Sequence, residues 1–421
     1  MPSVTKESKH GFSDIDKAVC THCGACVSIC PIGVIATDGH EVRLAGECIS
    51  CDLCYRLCPG REMDFGALSK AHLQAVPRDS LLGQYRHLRV AHATSEEIRQ
   101  RAASGGVVTS LLTYLLETNQ IRGAIGVTMR DDKPWQCQPA ILKTPQEVSR
   151  AAQSKYSLLS LDALLRTARD EDGPIALVGL PCHVHGLRRL QRIGSYRAKF
   201  PIVIGLFCGF NLEPAATDHL IRKAGFTREQ VAQLEYRGGP WPGGLVVHGH
   251  DGQRRFVPKH AYSYVNLMHV PRRCLACPDL TNELADLSVG DCWLEEYAGG
   301  WSTVISRSVQ GERLLAEAAQ AGVLRMEQIG REAILRSHGH LLAYKKEGYF
   351  VRQSWLRVPL EYDLLRPPVG VKRWIQQSLL LAAILILSNP AIRGTVQRLP
   401  SSWLAYVSRL GRTAATGATG D

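Results

Sequence analysis

The chain has 421 residues, which is enough for two or three domains of about 150 residues each. Its 45% hydrophobic and 21% charged residues are typical of a globular protein and exclude a wholly disordered one. The net charge of +11 suggests nucleic-acid binding, but the basic residues are scattered and form no long run. They indicate a solvated surface that favours anionic ligands, lipids or acidic redox partners, so we expect no nucleic-acid partner.

The first 17 residues are polar and contain no apolar segment of the kind found in secretory signal peptides. The chain has 14 cysteines. Without an export signal, we expect these cysteines to bind metal in a reducing compartment rather than to form disulfides. The sequence therefore predicts a cytoplasmic protein.

Residues 20–59 contain the same cysteine spacing twice, each time as C-x2-C-x2-C-x3-C-P. This spacing is typical of two [4Fe–4S] clusters, because three close thiolates wrap one face of a cube and the fourth cysteine of each run binds the other cube. Zinc also binds C-x2-C pairs, but a zinc site leaves the third cysteine and the exact repeat unexplained. The predicted ligands are Cys20, Cys23, Cys26 and Cys58 for one cluster and Cys48, Cys51, Cys54 and Cys30 for the other.

Residues 61–89 show little periodicity and are predicted to form a linker, followed by a strand over residues 88–93. The sequence SGGVVT at residues 104–109 then leads into an apolar helix. Glycines and hydroxyl residues at a helix start allow backbone N–H groups to approach a phosphate, which the helix dipole also favours. A tight turn with close helix packing explains the same residues, and both interpretations stay open.

Two further cysteines follow apolar segments that are typical of strands buried on both faces. One such segment precedes Cys182 and the other precedes Cys208. Ligands bind at the carboxyl ends of the strands in an α/β sheet. Together with Cys274 and Cys277, these are four cysteines at predicted loop positions, enough for a third cluster. Buried structural thiols have the same pattern, so spacing alone leaves both alternatives open.

Several polar side chains near these motifs are candidates for proton transfer, namely His183, His185, Lys155 and Tyr156. His183 directly follows Cys182, where an imidazole can donate a proton during hydride transfer. A histidine whose ring nitrogens are satisfied in the core is the favoured interpretation. The sequence therefore supports no catalytic assignment.

Five motifs in collinear order resemble the β-subunit family of coenzyme F420-reducing hydrogenases and dehydrogenases. That family also includes plant and cyanobacterial reductases of chlorophyll intermediates. The resemblance covers residues 89–341, and its motifs lie at residues 104–109, 178–182, 207–209, 237–243 and 285–291.

The resemblance implies an α/β core that binds FAD beside a [4Fe–4S] cluster. The ligands that it implies for this core cluster are Cys182, Cys208, Cys274 and Cys277. The residues that it implies for FAD are Ser104, Gly105, Gly106, Thr109, Arg237, Gly238 and Gly239.

We therefore predict an α/β fold, α+β overall, in three parts: a two-cluster ferredoxin-like domain over residues 1–75, an FAD and [4Fe–4S] core over residues 76–345, and a partly helical extension over residues 346–421. The resemblance implies an oxidoreductase that relays single electrons between clusters and FAD. The flavin would exchange a hydride with coenzyme F420 or a related conjugated substrate. The alternative is an electron-transfer subunit that feeds a partner reductase or hydrogenase. Either function requires a redox partner protein or a ferredoxin.

The C-terminal extension contains nine consecutive apolar residues at 379–387, fewer than the roughly 20 that span a bilayer. Further on, Trp403, Val407 and Leu410 have helical spacing with arginines nearby. Such segments suit helices that lie in a membrane surface, and peripheral membrane contact is one of two interpretations that stay open. Docking on the core or on a partner subunit is the alternative. Residues 411–421 are predicted to be disordered.

Overall fold

The computed structural model describes residues 10–396, within which the strands form four sheets. The strands are β1 (Ile35–Thr37), β2 (Val42–Leu44), β3 (Glu62–Asp64), β4 (His87–Ala93), β5 (Gly123–Met129), β6 (Cys137–Leu142), β7 (Ile175–Gly179), β8 (Val203–Leu206), β9 (Val231–Gly238), β10 (Gly244–Gly249), β11 (Arg254–Pro258), β12 (Leu287–Asp291), β13 (Ser302–Ser306), β14 (Leu324–Gln328) and β15 (Glu361–Asp363). The α-helices are α1 (Ala25–Ile29), α2 (Leu53–Arg56), α3 (Phe65–Leu73), α4 (Glu96–Arg101), α5 (Val107–Glu117), α6 (Pro145–Arg150), α7 (Leu165–Asp170), α8 (Pro181–Leu190), α9 (Gly194–Arg197), α10 (Ala215–Lys223), α11 (Lys259–Tyr262), α12 (Val265–Met268), α13 (Arg272–Leu275), α14 (Val309–Gln320), α15 (Arg331–Lys345), α16 (Glu347–Leu356), α17 (Val371–Ser388) and α18 (Pro390–Val396).

The largest sheet has eight strands in the order β14-β4-β13-β12-β8-β7-β5-β6. Its central strands β12, β8, β7 and β5 are parallel, and the outer strands pair antiparallel. The apolar segments that precede Cys182 and Cys208 form β7 and β8, where Leu177 and Val203 are fully buried. The predicted α/β fold is therefore confirmed, with antiparallel strands on both sides of a parallel centre.

The N-terminal unit shares a hydrophobic core with one face of this sheet. Ala25 and Ile29 of α1 are buried in the same cluster as Leu161, Leu177 and Val203. Shared burial of this kind fixes the position of the unit, because separating it would expose apolar surface on both sides. The N-terminal unit is thus packed on the core rather than tethered to it.

The prediction of a linker over residues 61–89 is wrong for the first half of this segment, which forms β3 and α3. β3 pairs in parallel with β15 from the C-terminal extension. The backbone N–H of Gly66, in the first turn of α3, donates to Asp363 Oδ2 at 3.1 Å. Local periodicity does not reveal this pairing, because the two strands lie at opposite ends of the chain. The bounds of the three predicted domains stay a prediction.

The apolar run at residues 379–387 lies within α17, a helix of 18 residues. Gln377, Leu381 and Ile384 on one side of α17 are buried, whereas most of the helix is exposed. The predicted amphipathic segment around Trp403 and the predicted disorder at residues 411–421 lie outside the described residues.

Gly24 supports the contact between the N-terminal unit and the core. It precedes α1 with φ of 91°, and an added Cβ would lie 2.7 Å from the backbone N of Ala163. We expect Gly24→Ala to lower the free energy of unfolding by about 1–3 kcal/mol, through left-handed strain together with this clash. Thermal unfolding of the cofactor-loaded protein measures the effect.

Gly39 provides the matched control, because it also has positive φ (+99°) but would place its Cβ in open space. Gly39→Ala should cause the smaller loss. Equal losses in the two variants would show that the contact with Ala163 contributes nothing.

Candidate functional site

The first half of the duplicated cysteine motif gathers with the last cysteine of the second half. Burial raises the pKa of the Cys26 thiol well above its usual range, and the nearby thiols of Cys20 and Cys58 raise it further. Burial also raises the pKa of Cys23, whose side chain lies beside Asp162. The structure therefore brings Cys58 into the group that contains Cys20, Cys23 and Cys26.

The second group has the reciprocal composition. Burial raises the pKa of Cys54 to about 12, and Cys51, Cys48 and Cys30 contribute to the increase. Cys54 and Cys30 are buried, but Cys48 is half-buried and Cys51 is exposed, so this group reaches the protein surface at Cys51. The exchange of fourth cysteines follows the pattern that the spacing predicts, while metal ligation itself stays a prediction.

A third group of thiols forms at the carboxyl ends of β7 and β8. Burial raises the pKa of Cys182 well above its usual range, and Cys208, Cys274 and Cys277 raise it further. The prediction that all four lie in loops is wrong for Cys182 and Cys274, which lie in α8 and α13. α8 begins at Pro181, one residue before Cys182, because proline suits the first position of a helix.

The donor chemistry of all three groups fits iron–sulfur clusters, because each group offers four thiols. A cube holds its thiolates at the corners of a cage, whereas zinc needs its ligands around a single point. Within residues 10–396, no three His, Cys, Asp or Glu side chains are grouped closely enough for a single-ion site.

A cavity of about 830 Å³ lies beside the third thiol group. Ser104, Gly106 and Thr109 line it at the start of α5, and Cys208 and Tyr344 line it elsewhere. Its volume is in the range of pockets that bind cofactors and drug-sized ligands. One cavity therefore joins the glycine-containing turn to a predicted cluster ligand.

The turn before α5 is held by contacts to β4 and β13. The Ser104 hydroxyl donates to the carbonyl of Trp301 at 2.5 Å, and the Gly105 N–H donates to Ser302 Oγ at 3.0 Å. A Cβ on Gly105 would lie 2.5 Å from the carbonyl oxygen of Ala91. Gly105 therefore serves the tight turn, and its N–H is already used by the protein.

Arg237 is buried in the wall of the cavity and makes hydrogen bonds to several elements. Its guanidinium donates to Asp291 at 2.9 Å, to the Tyr156 hydroxyl at 3.2 Å and to the carbonyl of Ala103 at 2.7 Å. Burial opposes the charge, but Asp291 and Tyr156 outweigh it and raise the pKa of Arg237. Arg237 is thus a fixed cation that holds the turn residue Ala103.

The two glycines after Arg237 have different positions. Gly238 ends β9 and packs against Val246 of β10. Gly239 lines a second cavity of about 480 Å³, which Ser104 and Arg237 also line. Of the residues predicted for FAD, Gly105 and Gly238 therefore pack within the protein, and the other five line one or both cavities.

Lys259, which lies over the ring of Trp293, adds positive charge to the cavity. The sequence motifs did not indicate this residue. Lys259 Nζ lies 3.5 Å from Asp291 and 4.4 Å from the centre of the Trp293 ring. With Arg237, two cations share the single carboxylate of Asp291. This part of the cavity favours an anionic ligand group.

The candidate proton donors are already held by the protein. The Nδ1 atom of His183 accepts from the Leu180 N–H at 3.2 Å, its Nε2 lies 3.0 Å from the Leu159 carbonyl, and burial lowers its pKa to about 4. His185 pairs with Asp279 at 2.9 Å. Both histidines are therefore engaged by protein groups, and His183 also lines the main cavity.

Lys155 also lines the cavity, where burial lowers its pKa to about 8. Its ammonium donates to the carbonyls of Ala151 and Ala152 at 2.6 Å and to that of Gln153 at 3.2 Å. These three acceptors saturate the ammonium, so Lys155 anchors the segment after α6.

Comparison with known families and proteins gives consistent matches. Residues 89–166 and 172–332 match the N-terminal and C-terminal parts of the coenzyme F420 hydrogenase/dehydrogenase β subunit, and residues 14–36 match a 4Fe-4S binding domain. The chain is 28% identical over 351 residues to the coenzyme F420-dependent sulfite reductase of Methanocaldococcus jannaschii, covering 79% of this chain and 50% of that relative. The chain thus spans half the length of this relative.

Two further relatives are matched over most of their length. The coenzyme F420 hydrogenase subunit beta of Methanothermobacter thermautotrophicus is 29% identical, over 59% of this chain and 86% of the relative. A subunit of the F(420)H(2) dehydrogenase of Methanosarcina mazei is 25% identical, over 71% and 82% respectively. A chain in the F420-reducing [NiFe] hydrogenase complex of Methanosarcina barkeri has a similar fold, with a TM-score of 0.54 and 24% identity, over 69% of this chain and 99% of that chain.

The third thiol group predicts a specific iron stoichiometry. We expect Cys182→Ala to reduce iron and labile sulfide by about four atoms each per chain, because the change removes one corner ligand of a four-iron cube. Cys137→Ala is the control, since Cys137 is buried outside all three groups. Iron content that stays the same in both variants would show that the third group holds no cluster.

Proposed function

Because the chain belongs to the coenzyme F420 hydrogenase/dehydrogenase β-subunit family, we propose that it is an iron–sulfur flavoprotein oxidoreductase. In this proposal, single electrons pass through three [4Fe–4S] clusters to or from FAD, which exchanges a hydride with coenzyme F420 or a related conjugated substrate. The family and the 4Fe-4S binding domain identify an oxidoreductase with iron–sulfur electron transfer. FAD, the hydride step and the substrate are the proposed parts.

The observation that carries the proposal is the cavity that reaches from the start of α5 to Cys208. Ser104, Gly106 and Thr109 would hold the FAD phosphates, since a helix N-terminus favours negative charge. Arg237 and Lys259 supply further positive charge on the cavity wall. Gly105 contributes by allowing the turn to approach β4 closely.

The apolar walls of the same cavity suit a flat conjugated ring. Val107, Leu112, Val127 and Leu180 line it together with the polar turn. Bound FAD would trade electrons singly with the clusters and as a hydride with the substrate. One hydride equals two electrons and one proton, so two single-electron transfers and one proton balance each turnover. Cys208 lines the same cavity, so a cluster held by it would lie close to the bound flavin.

Coenzyme F420 is the proposed hydride partner because the relatives with this coenzyme in their names include a sulfite reductase, a hydrogenase subunit and a dehydrogenase subunit. The second candidate is an electron-transfer subunit without a small-molecule substrate of its own. Two of these relatives are named as subunits, and the exposed Cys51 gives a partner access to a cluster, which favours this alternative.

Thr109 tests the FAD site, because its hydroxyl lines the cavity in the first turn of α5. We expect Thr109→Val to weaken FAD retention by about tenfold through loss of a hydrogen bond to a charged phosphate. Thr118→Val is the control on the same helix, since Thr118 is the exposed C-cap. Equilibrium dialysis with FAD measures both variants, and equal retention would contradict the proposed phosphate site.

Activity separates the two candidate functions. The protein reconstituted with FAD and about twelve iron atoms per chain should oxidise reduced F420 with an artificial electron acceptor. Failure with all cofactors loaded would exclude F420 as the hydride partner and favour the electron-transfer subunit.

We also propose that α17 rests on an anionic lipid surface. Its exposed side presents Val371, Ile375, Leu379 and Ile386, and the neighbouring Trp374 ring lies 5.8 Å from Trp355. α17 is long and apolar enough to cross a membrane, but its opposite side packs against the protein. Apolar residues with Trp and nearby cations suit a helix that lies in the membrane surface. Cytoplasmic location at such a surface is part of this proposal.

Vesicle binding tests the lipid contact. We expect co-sedimentation with vesicles that contain anionic phosphatidylglycerol and much weaker binding to pure phosphatidylcholine, since both charge and apolar burial contribute. Leu379→Asp should abolish binding, whereas Val309→Asp, at an exposed apolar site on α14, should not. Absence of vesicle binding by the unaltered protein would exclude the lipid surface and leave docking on a protein partner.

A further inference from the structure

Three buried cations surround the third thiol group, which consists of Cys182, Cys208, Cys274 and Cys277. They are Lys345 at the end of α15, Arg352 in α16 and Arg273 in α13, with 1%, 0% and 7% of their surface exposed. Burying a charge without a partner is strongly unfavourable, so each of these cations requires a nearby negative charge.

Arg273 and Arg352 hold the peptide segment that carries Cys274 and Cys277. Arg273 Nη1 donates to the carbonyl of Ala276 at 2.7 Å. Arg352 Nε donates to the carbonyl of Leu275 at 2.6 Å, and its Nη2 is buried without a hydrogen-bond partner among the described residues. Both guanidinium groups therefore lie directly against the predicted ligand segment.

Lys345, at the end of α15, lies near the same thiols. Its Nζ lies 5.7 Å from the ring centre of Phe210, two residues after Cys208. Burial lowers the pKa of Lys345, but Cys277, Cys208 and Cys274 outweigh it and raise the pKa. Lys345 is thus close enough to these cysteines for its charge to be stabilised when they are thiolates.

None of the three cations forms an ion pair with a carboxylate within residues 10–396. Two other buried cations in the same range do: Lys346 pairs with Glu283, and Arg188 pairs with Asp286 at 3.0 Å. The buried Arg307 has no carboxylate partner either, but carbonyl and hydroxyl oxygens accept from all three of its guanidinium nitrogens, whereas Arg352 Nη2 has no acceptor among the described residues. A [4Fe–4S] cluster with four thiolate ligands is negatively charged and gains one more negative charge on reduction. The cluster is therefore the counter-charge that these cations lack.

The acidic groups near the third thiol group do not supply this counter-charge in place of the cluster. Burial raises the pKa of Asp162 well above its usual range, which disfavours a negative charge on this carboxyl. Burial opposes the charge of Asp279, yet His185 and Lys346 hold its pKa at about 2, and His185 pairs with it. The negative charge of Asp279 is already compensated.

The surface thiol group has different surroundings. The backbone N–H groups of Phe12 and Ser50 lower the pKa of Cys48, and Asp14 opposes them. Burial alone disfavours the extra electron on the core cluster, but three cations in a medium of low dielectric constant act in the opposite direction and are weakly screened.

We propose that Lys345, Arg273 and Arg352 form a cationic cage that gives the core cluster a higher reduction potential than the surface cluster at Cys51. Electrons then flow inward, from a low-potential one-electron donor such as a reduced ferredoxin-type protein to the cavity ligand. Each step oxidises the donor by one electron and reduces one cluster by one electron. This inference rests on the proposed function, because it requires a cluster at the third thiol group.

Substitution of Lys345 tests the cage. Arg273 and Arg352 are less suitable, because they also make hydrogen bonds to backbone carbonyls and so have a structural role. In redox titrations followed by electron paramagnetic resonance, Lys345→Met should make the core cluster at least about tenfold less reduced at a fixed potential, a shift of about 59 mV. Lys345→Arg keeps the charge and should restore the potential. The double variant Arg188→Met/Asp286→Asn is the matched control, since it removes another buried pair of opposite charges without changing net charge.

The outcomes of these measurements distinguish a failure of the cage proposal from a failure of the proposed function. About twelve iron atoms per chain with an unchanged core potential in Lys345→Met would overturn the cage and leave the function standing. A core cluster in the unaltered protein with a lower potential than the surface cluster would also overturn it. About eight iron atoms in the unaltered protein would remove the third cluster and, with it, the proposed function.

Discussion

The packing of α1 against the core is the contact on which the rest of the structure depends. Ser28 Oγ donates to the backbone carbonyl of Asp162 at 2.6 Å in a buried position, and Gly24 leaves room for Ala163. Because α1 also carries Cys26, this contact fixes the distance between the first thiol group and the core. Electron transfer requires such fixed, short separations, and a flexible tether would not maintain them.

Arg273 links the first and third thiol groups through hydrogen bonds. It donates to the carbonyl of Val19, next to Cys20, at 3.0 Å and to the Tyr362 hydroxyl at 2.6 Å. Tyr362 belongs to β15, which pairs with β3 directly after the second half of the cysteine motif. The C-terminal extension therefore helps to hold the two predicted clusters together, in addition to the contacts of α17.

The main cavity and the lipid-facing helix are neighbours in the fold. Leu380 and Ile384, on the inner side of α17, line the cavity that also contains Cys208. Exposed apolar residues on the outer side of α17 are thus separated from the proposed flavin site by a single helix. This arrangement places the proposed flavin site close to the surface that we assign to lipid.

Local spacing in the sequence predicted the ligands of the two N-terminal thiol groups, the strands β7 and β8, and the turn before α5. Each of these depends on residues close together in the chain, so periodicity and ligand spacing suffice. Only the tertiary structure decided the remaining features. The pairing of β3 with β15 and the surroundings of the cations Lys259, Lys345 and Arg352 depend on contacts between distant segments. A buried charge is recognised by what surrounds it, and no spacing along the chain contains that information.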